Sequence, residues 1–305
     1  MTLAPLVSVV MATYHWPEAL AISIPSVIAQ RYPHWELLVV GDACTDDSMR
    51  VALGFGDPRI RWFNLPENSG SQGAPNNLGI HESRGELIAY LGHDDLWSGD
   101  HLDSLIEGYD GSPDFLASAT IAWFDEAGRI RALSALPVDD FIPVPRLWSA
   151  AEIPSGILHS RSLATRAGPW RDWRTIDLLP DVEFFQRVTR IADPVRRTGR
   201  VTVAKVPSSW RRDIYRRRDV TPQRTIEARL RTDPAFLRDT AFAFLAAQYP
   251  TTFRALLRAM SRRARHAVAN LGARRLRRVA REWLFRKRLL GAAVRRIRRF
   301  RGLEE

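Results

Sequence analysis

The stretch Leu87-Ile-Ala-Tyr-Leu-Gly-His-Asp-Asp95 joins a short apolar run to two adjacent acids. A short apolar run bounded by turn-forming residues is typical of a strand that is buried on both faces of a parallel sheet. Two neighbouring carboxylates directly after such a strand repel each other unless a cation or solvent compensates their charge. The stretch therefore predicts a buried strand over residues 87–91 that delivers Asp94 and Asp95 to one edge of a sheet.

Three similar apolar runs precede this strand. They cover residues 6–12, 35–40 and 60–64, and helical patterns lie between them from Pro17 to Gln30, after Asp46 to about Phe55, and from Asn76 to Ser83. Alternating strands and helices imply right-handed crossovers and a mostly parallel sheet, in which ligands bind at the carboxyl ends of the strands. Those ends carry Thr13, Tyr14 and Asp42 beside the acid pair. Helix capping explains any one of these polar residues, but it explains the full set less well.

The alternation becomes less regular after residue 115. Further strands are predicted at residues 115–124, 129–133 and 201–206, and a helix at residues 181–191. From Pro222 the chain reads as helices, which become Arg-rich and amphipathic from residue 251. The predicted fold class is therefore α/β, with a mostly parallel sheet flanked by helices and an α-helical, Arg-rich C-terminal extension.

Charge is divided unevenly along the 305 residues, whose formal net charge is +11. Residues 1–160 hold 8 basic and 21 acidic side chains, whereas residues 251–305 hold 18 basic and 3 acidic ones. The apolar share of 45% and the charged share of 26% are those of a globular protein and exclude global disorder.

Cys44 is the single cysteine, which excludes an intrachain disulfide and a thiolate metal cluster and fits a reducing compartment. No basic residue precedes Arg31, so no secretory signal is predicted, and no apolar run is long enough to span a bilayer.

Four stretches in this order resemble glycosyltransferase family 2, the nucleotide-sugar-dependent enzymes with the Rossmann-like GT-A fold. They are Val7-Ser-Val-Val-Met-Ala-Thr-Tyr14, residues 36–48, Asn68-Ser-Gly with Asn77-Leu-Gly-Ile80, and residues 85–97. Leu179-Pro-Asp-Val-Glu-Phe-Phe185 resembles, more loosely, the segment that holds the catalytic base in such enzymes. Three positions depart from the family pattern, since Gly41 and Gly92 stand where acids are usual and Asn76 stands where an Arg is common.

The resemblance implies a set of site residues and a divalent cation, Mg²⁺ or Mn²⁺. The donor-binding residues are Thr13, Tyr14, Asp42, Asn77 and Asp94, and the metal ligands are Asp94 and Asp95. Such a cation prefers carboxylate, water and phosphate oxygens and stabilises a departing diphosphate as a Lewis acid. For His93 we expect an exposed loop imidazole rather than a ligand.

The acceptor hydroxyl needs a general base, and a carboxylate within hydrogen-bond reach supplies one. Following the resemblance, we assign this role to Asp181, with Glu183 as the alternative. Helix capping by Asp181 is the competing explanation, because the residue follows Pro180 at the start of a predicted helix.

The basic tail has three interpretations. Apolar residues recur at spacings of three and four between the arginines of residues 274–300, and they include Trp283, Leu284 and Phe285. Such a helix can lie on an anionic membrane, bind nucleic-acid phosphates, or pack on the acidic half of the chain. Docking on the inner face of the cell membrane is favoured because many related enzymes use lipid-linked acceptors, and nucleic acid is the least favoured partner. In that interpretation the tail is dispensable for the donor site.

The resemblance implies a cytoplasmic, inverting glycosyltransferase that moves a sugar from a nucleoside-diphosphate donor, UDP-sugar by preference, to a hydroxyl of a glycan or lipid-linked acceptor. The GT-A catalytic domain is predicted at residues 1–220, with a nucleotide-sugar half at 1–110 and an acceptor half at 111–220, followed by a helical basic region at 221–305. The alternatives are a non-catalytic sugar-nucleotide or nucleic-acid binding protein and a nucleotidyltransferase-like enzyme. The chain carries neither a Gly-x-Gly-x-x-Gly sequence nor a phosphate loop with Lys, which disfavours the last class.

Overall fold

The structure is a computed structural model that describes residues 4–134, 154–193, 195–247 and 292–303. Its described strands form one nine-stranded sheet in the order β3-β2-β1-β4-β8-β6-β9-β5, with β7 paired to β6. They are β1 (Val7–Thr13), β2 (Trp35–Gly41), β3 (Ile60–Asn64), β4 (Leu87–Tyr90), β5 (Asp95–Trp97), β6 (Leu116–Phe124), β7 (Ile130–Leu133), β8 (Ile157–Ser160) and β9 (Val195–Lys205).

The first half of the sheet is parallel and the second half is mixed. Strands β3, β2, β1 and β4 pair in parallel, as does β6 with β9, whereas β7 and β8 pair with their neighbours in antiparallel fashion. The predicted α/β class with a parallel sheet is confirmed. The short strand β5, which is antiparallel to β9, was not predicted because it has only three residues.

Eight helices whose two ends are both described precede the C-terminal one, and residues 236–247 are helical as well. The eight are α1 (Pro17–Ile28), α2 (Ser48–Leu53), α3 (Gly73–Glu82), α4 (His101–Ile106), α5 (Arg161–Ala167), α6 (Pro180–Ile191), α7 (Ile214–Arg217) and α8 (Thr221–Thr232). The C-terminal helix is Ala292–Arg301, which is the end of the basic helix predicted over residues 274–300; residues 274–291 of that prediction lie outside the described residues. No helix in the described part of the chain is both long and apolar enough to cross a membrane.

Alternate residues of β1 enter two different apolar clusters. Val9 packs with α1 on one face of the sheet, while Val10 packs with Tyr90 and the Phe184 side of α6 on the other. Burial of both faces explains why the first strands read as continuous apolar runs. A third cluster joins Trp16 and Phe124 to residues beyond the predicted boundary at 220, among them Ile226 and Phe236. The boundary itself stays a prediction.

Candidate functional site

A cavity of about 380 Å³ opens at the carboxyl ends of β1, β2 and β4. Six side chains singled out from the sequence line it, namely Thr13, Tyr14, Asp42, Asp94, Asp95 and Asp181. Trp123, Ser155, Lys205, Tyr215, Arg298 and Arg301 line it as well, and the sequence had not assigned them to this site. The topology therefore brings most of the predicted residues to one place.

The turns after β1 and β2 approach each other closely. The Asp42 amide donates to the Thr13 carbonyl over 2.8 Å. His15 and Ala43 have φ values of 43° and 59°, in the left-handed region that non-glycine residues rarely adopt. Such strained positions persist only where the surrounding structure enforces them, and they concentrate at ligand sites.

Asp42 organises the loop that follows β3. Its carboxylate accepts hydrogen bonds from the backbone amides of Ser69, at 2.7 Å, and Gly70, at 3.1 Å. Burial raises the pKa of Asp42 above its ordinary value, although these two bonds and the nearby Arg298 oppose the rise. Asp42 thus stands at the predicted nucleoside end of the cavity with part of its bonding capacity used by the protein.

Asp95 is held by a buried cation. Its carboxylate is 0% exposed, and Lys205 Nζ lies 2.8 Å from both of its oxygens. The Ser155 hydroxyl donates to Oδ2 over 2.5 Å. Burial disfavours both charges, but Asp95 and Asp94 together raise the pKa of Lys205 above its ordinary value. Lys205 is therefore a fixed positive charge at the cavity.

Asp94 is paired with a second buried cation. Arg211 Nη2 lies 3.1 Å from Asp94 Oδ2, and the Arg211 side chain is only 2% exposed. Burial would raise the pKa of Asp94, but Lys205, His93 and Arg211 outweigh it and hold the pKa below its ordinary value. Asp94 is consequently ionised at neutral pH.

His93 corrects an expectation from the sequence. It is 6% exposed rather than an exposed loop residue. Its ring nitrogens contact the Thr13 hydroxyl at 2.8 Å and the Tyr215 hydroxyl at 3.2 Å. Burial lowers the pKa of His93 to about 4, so the imidazole is neutral and joins the end of β1 to α7.

The two candidate bases have different surroundings. Asp181 lies in the first turn of α6, is half-buried and lines the cavity, and its Oδ1 accepts from the next amide, Val182, over 2.9 Å. Burial raises the pKa of Asp181, which favours proton uptake. The residue at the N-cap of α6 is Leu179, so Asp181 is not the N-cap, although its carboxylate does accept from an amide of the first turn.

Glu183, the alternative base, is held in ion pairs instead. Arg187 bonds both of its oxygens, each at 2.9 Å, and Arg171 lies 3.1 Å from Oε1. Glu183 is absent from the residues that line the cavity. The geometry therefore favours Asp181 of the two carboxylates.

The position of Asn77 corrects the donor-binding role predicted for it. Its side-chain amide donates to the Trp170 carbonyl over 2.9 Å and accepts from the Trp170 amide over 2.8 Å. It borders a separate cavity of about 750 Å³ beside Glu86 and Tyr109, not the cavity at the strand ends. Asn77 thus fixes the loop before α6 to α3.

The residues present fit a divalent cation through Asp94 but not through Asp95. Asp94 lines the cavity and bonds Arg211 through one oxygen, and Mg²⁺ needs only one or two protein carboxylates beside substrate phosphates. Asp95 has both oxygens on Lys205 and a hydroxyl on Oδ2, so the role of metal ligand predicted for it does not fit.

The C-terminal helix reaches this site. Arg298, Arg301 and Leu303 line the cavity, so the described end of the tail contributes to the space that the sequence had assigned to the first half of the chain. That the tail is dispensable for the donor site stays a prediction. Residues 292–303 pack on residues 208–217, and Arg298 also donates to the Gly70 carbonyl in the acidic half. Two features of the sequence indicate these cations. Lys205 is one of only two lysines, and Arg298 and Arg301 are three residues apart on one helix face.

Comparison with known proteins identifies a family. Residues 8–156 match the model described as glycosyl transferase family 2. The chain is 31% identical over 143 residues to the putative teichuronic acid biosynthesis glycosyltransferase TuaG of Bacillus subtilis, which is 46% of this chain and 54% of that relative. It is 36% identical over 101 residues to the Escherichia coli UDP-Glc:alpha-D-GlcNAc-diphosphoundecaprenol beta-1,3-glucosyltransferase WfgD, which is 33% of this chain and 40% of that relative. The matches thus span about half or less of these relatives.

Two solved structures share the fold. S. aureus TarS 1–349 in complex with UDP-GlcNAc has a TM-score of 0.56 at 17% identity over 66% of this chain and 58% of that one. The mannosyltransferase PcManGT from Pyrobaculum calidifontis, in complex with GDP-Man and Mn²⁺, has a TM-score of 0.53 at 18% identity over 98% of this chain and 88% of that one. The predicted GT-A fold class is confirmed.

Proposed function

We propose that this chain, whose residues 8–156 match the model of glycosyl transferase family 2, transfers a sugar from a nucleoside-diphosphate donor to a hydroxyl acceptor. One observation carries the proposal. The cavity at the strand ends gathers Thr13, Asp42 and Asp94, and a half-buried Asp181 lines the same space. The cavity therefore holds groups suited to bind a nucleotide and its diphosphate and to accept a proton from the acceptor.

The proposed reaction inverts the configuration at the anomeric carbon. The acceptor oxygen forms a bond to that carbon while the bond to the departing diphosphate oxygen breaks, and Asp181 takes the proton of the hydroxyl. The raised pKa of Asp181 makes it a better proton acceptor than an ordinary carboxylate. Arg187 and Arg171 keep Glu183 out of this role.

Asp94 is the residue proposed to hold Mg²⁺ or Mn²⁺. When bound, the cation supplies Lewis-acid stabilisation of the diphosphate that leaves. Lys205 and Arg211 place two further positive charges beside the same carboxylates, and electrostatic preorganisation of this kind favours a transition state in which negative charge develops. Mn²⁺ accompanies the donor in the complex of PcManGT.

The proposed donor is a UDP-sugar and the proposed acceptor a glycan or lipid-linked hydroxyl. The name of WfgD specifies UDP-Glc and a diphosphoundecaprenol-linked sugar, and TarS is in complex with UDP-GlcNAc. A lipid-linked acceptor would place the chain at the cytoplasmic face of a membrane, with the basic residues of the tail near anionic lipid. We further propose residues 1–110 as the donor half, 111–220 as the acceptor half and 221–305 as a helical basic region.

Donor turnover by the purified chain tests the proposal. Wild-type protein with Mn²⁺ should release UDP from a panel of UDP-sugars, more rapidly with a suitable acceptor. Asp181→Asn should lose about 10²–10⁴-fold in transfer, the usual contribution of general acid–base catalysis, and keep its affinity for UDP. Glu183→Gln is the matched control and should keep its ability to transfer the sugar once its folding is verified.

Two results would contradict the proposal. A wild-type chain that binds UDP but turns over no sugar nucleotide would be a binding protein. If transfer is lost in a folded Glu183→Gln variant and kept in Asp181→Asn, Glu183 is the base.

A further inference from the structure

The C-terminal helix is anchored beside the donor cavity by its last turn. The Asp213 amide donates to the Phe300 carbonyl over 2.8 Å, and the Leu303 amide donates to the Arg298 carbonyl over 3.0 Å. Gly302 has a φ of +80°, and a Cβ there would lie 3.0 Å from the Arg216 side chain. A residue with a side chain would therefore be strained by its backbone and crowded against Arg216. The helix end is thus fixed to α7.

This anchoring brings two guanidinium groups to the cavity. Arg298 donates to the Gly70 carbonyl and lies 5.8 Å from the centre of the Trp173 ring. It also acts electrostatically on Asp42, at the proposed nucleoside end. Arg301 acts on Asp94, Asp181 and Lys205, at the proposed transfer end. The two guanidinium groups therefore line the same cavity and act on different acids of it.

Arg301 carries a polar atom that the protein leaves unsatisfied. Its Nε is buried and has no hydrogen-bond partner among the described residues. A buried N–H without an acceptor costs free energy, more so on a charged group, so an acceptor that enters the cavity would remove that cost. Arg211 Nε is also buried without a partner, but the Arg211 guanidinium is paired with Asp94, as Lys205 is with Asp95.

We propose that Arg301, with Arg298 beside it, binds the diphosphate of the nucleotide donor, so that the C-terminal helix is part of the donor site. This inference rests on the proposed function. A guanidinium presents N–H groups in a planar fork that matches phosphate oxygens, and such charge-assisted bonds are stronger than neutral ones. A diphosphate is the part of the donor that offers several charged acceptors, whereas the nucleoside and the sugar offer none.

Calorimetric titration of the full-length chain with UDP and with uridine, at a fixed Mg²⁺ concentration, tests this role. Arg301→Gln should weaken UDP binding by about 10–100-fold, the effect of losing a hydrogen bond to a charged group. Binding of uridine, which lacks phosphate, should stay as in the wild type. Arg301→Lys keeps the positive charge but loses the planar fork of the guanidinium, so its affinity for UDP should lie between those of the wild type and Arg301→Gln. Arg299→Gln is the matched control, because Arg299 is exposed on the same helix and does not line the cavity.

The possible outcomes test the role of Arg301 and the proposed function separately. If wild-type protein binds UDP and Arg301→Gln binds it equally well, the inference is wrong while the proposed function stands. If Arg301→Gln loses UDP and uridine in parallel, Arg301 acts only on the structure and the inference is again wrong. If the wild type binds neither UDP nor uridine, the proposed function fails first. Should Arg301→Gln fold poorly, the UDP-to-uridine ratio of Arg301→Lys decides in its place.

Discussion

Replacing Lys205 by Met should destabilise the protein by about 3 kcal/mol at neutral pH. The side chain is 18% exposed and its partner Asp95 is 0% exposed, so the substitution leaves a carboxylate buried with the Ser155 hydroxyl. Removing one partner of a buried ion pair costs about 3–5 kcal/mol, because the remaining charge is uncompensated. We take the lower end because water reaches part of Lys205.

The stability lost in Lys205→Met should become smaller as the pH is lowered. Burial already raises the pKa of Asp95, and without Lys205 it rises further. When the pKa of Asp95 in the folded protein lies above its unfolded value of about 3.9, the folded protein binds more protons than the unfolded chain at every pH between these two pKa values. The free energy of unfolding of Lys205→Met should therefore fall as pH rises through that window, and the destabilisation should be smallest near its acidic end.

Urea unfolding of the wild type and the variants at several pH values measures both effects. Arg200→Met is the matched control on β9, since Arg200 and its partner Glu107 are 51% and 56% exposed and an exposed pair contributes about 0.2–1 kcal/mol. Adding Asp95→Asn to Lys205→Met should restore much of the stability and remove the pH dependence. The reasoning is refuted if Lys205→Met costs no more than Arg200→Met, or if its stability follows the wild-type pH profile.

Two further predictions concern the metal and the membrane. Asp94→Asn should weaken UDP binding more with Mn²⁺ than with EDTA in a titration, because the carboxylate is the proposed metal ligand; equal weakening would contradict that role. Replacing Trp283, Leu284 and Phe285 by Ser in the full-length chain should reduce flotation with anionic vesicles, and wild-type binding should weaken with salt as screening shortens the reach of its charges. A wild-type chain that stays free of anionic vesicles at low salt would contradict membrane docking.

The parallel half of the fold could be predicted because its signals are local. The apolar runs of β1, β2 and β4 are buried on both faces, and Pro17 begins α1 as a proline at the first helical turn does. The antiparallel pairs of β8 with β4 and β6 join segments far apart in sequence, and no local pattern specifies them. The sequence therefore predicted the strands better than their partners.

The acids of the site could be predicted, but their cations could not. Asp42, Asp94 and Asp95 follow strands whose ends must meet in a parallel sheet, so their neighbourhood follows from topology. Lys205 comes from the last strand and Arg301 from the C-terminal helix, and nothing local to either residue indicates which acid it faces. In a chain with 45 basic residues, only the tertiary structure distinguishes the cations that enter the cavity.

The two glycines that depart from the family pattern follow from what surrounds them. A Cβ at Gly92 would lie 2.7 Å from Asp95 Oδ2, and a Cβ at Gly41 would lie 2.4 Å from Asn64 Oδ1. The room that an acid side chain would need at each position is therefore taken, by the carboxylate held on Lys205 in one case and by the end of β3 in the other. Lys205, through Asp95, therefore stands beside the strand end at which a glycine replaces the usual acid. In the proposed reaction, Lys205 and the cations of the C-terminal helix supply part of the charge compensation that a diphosphate requires.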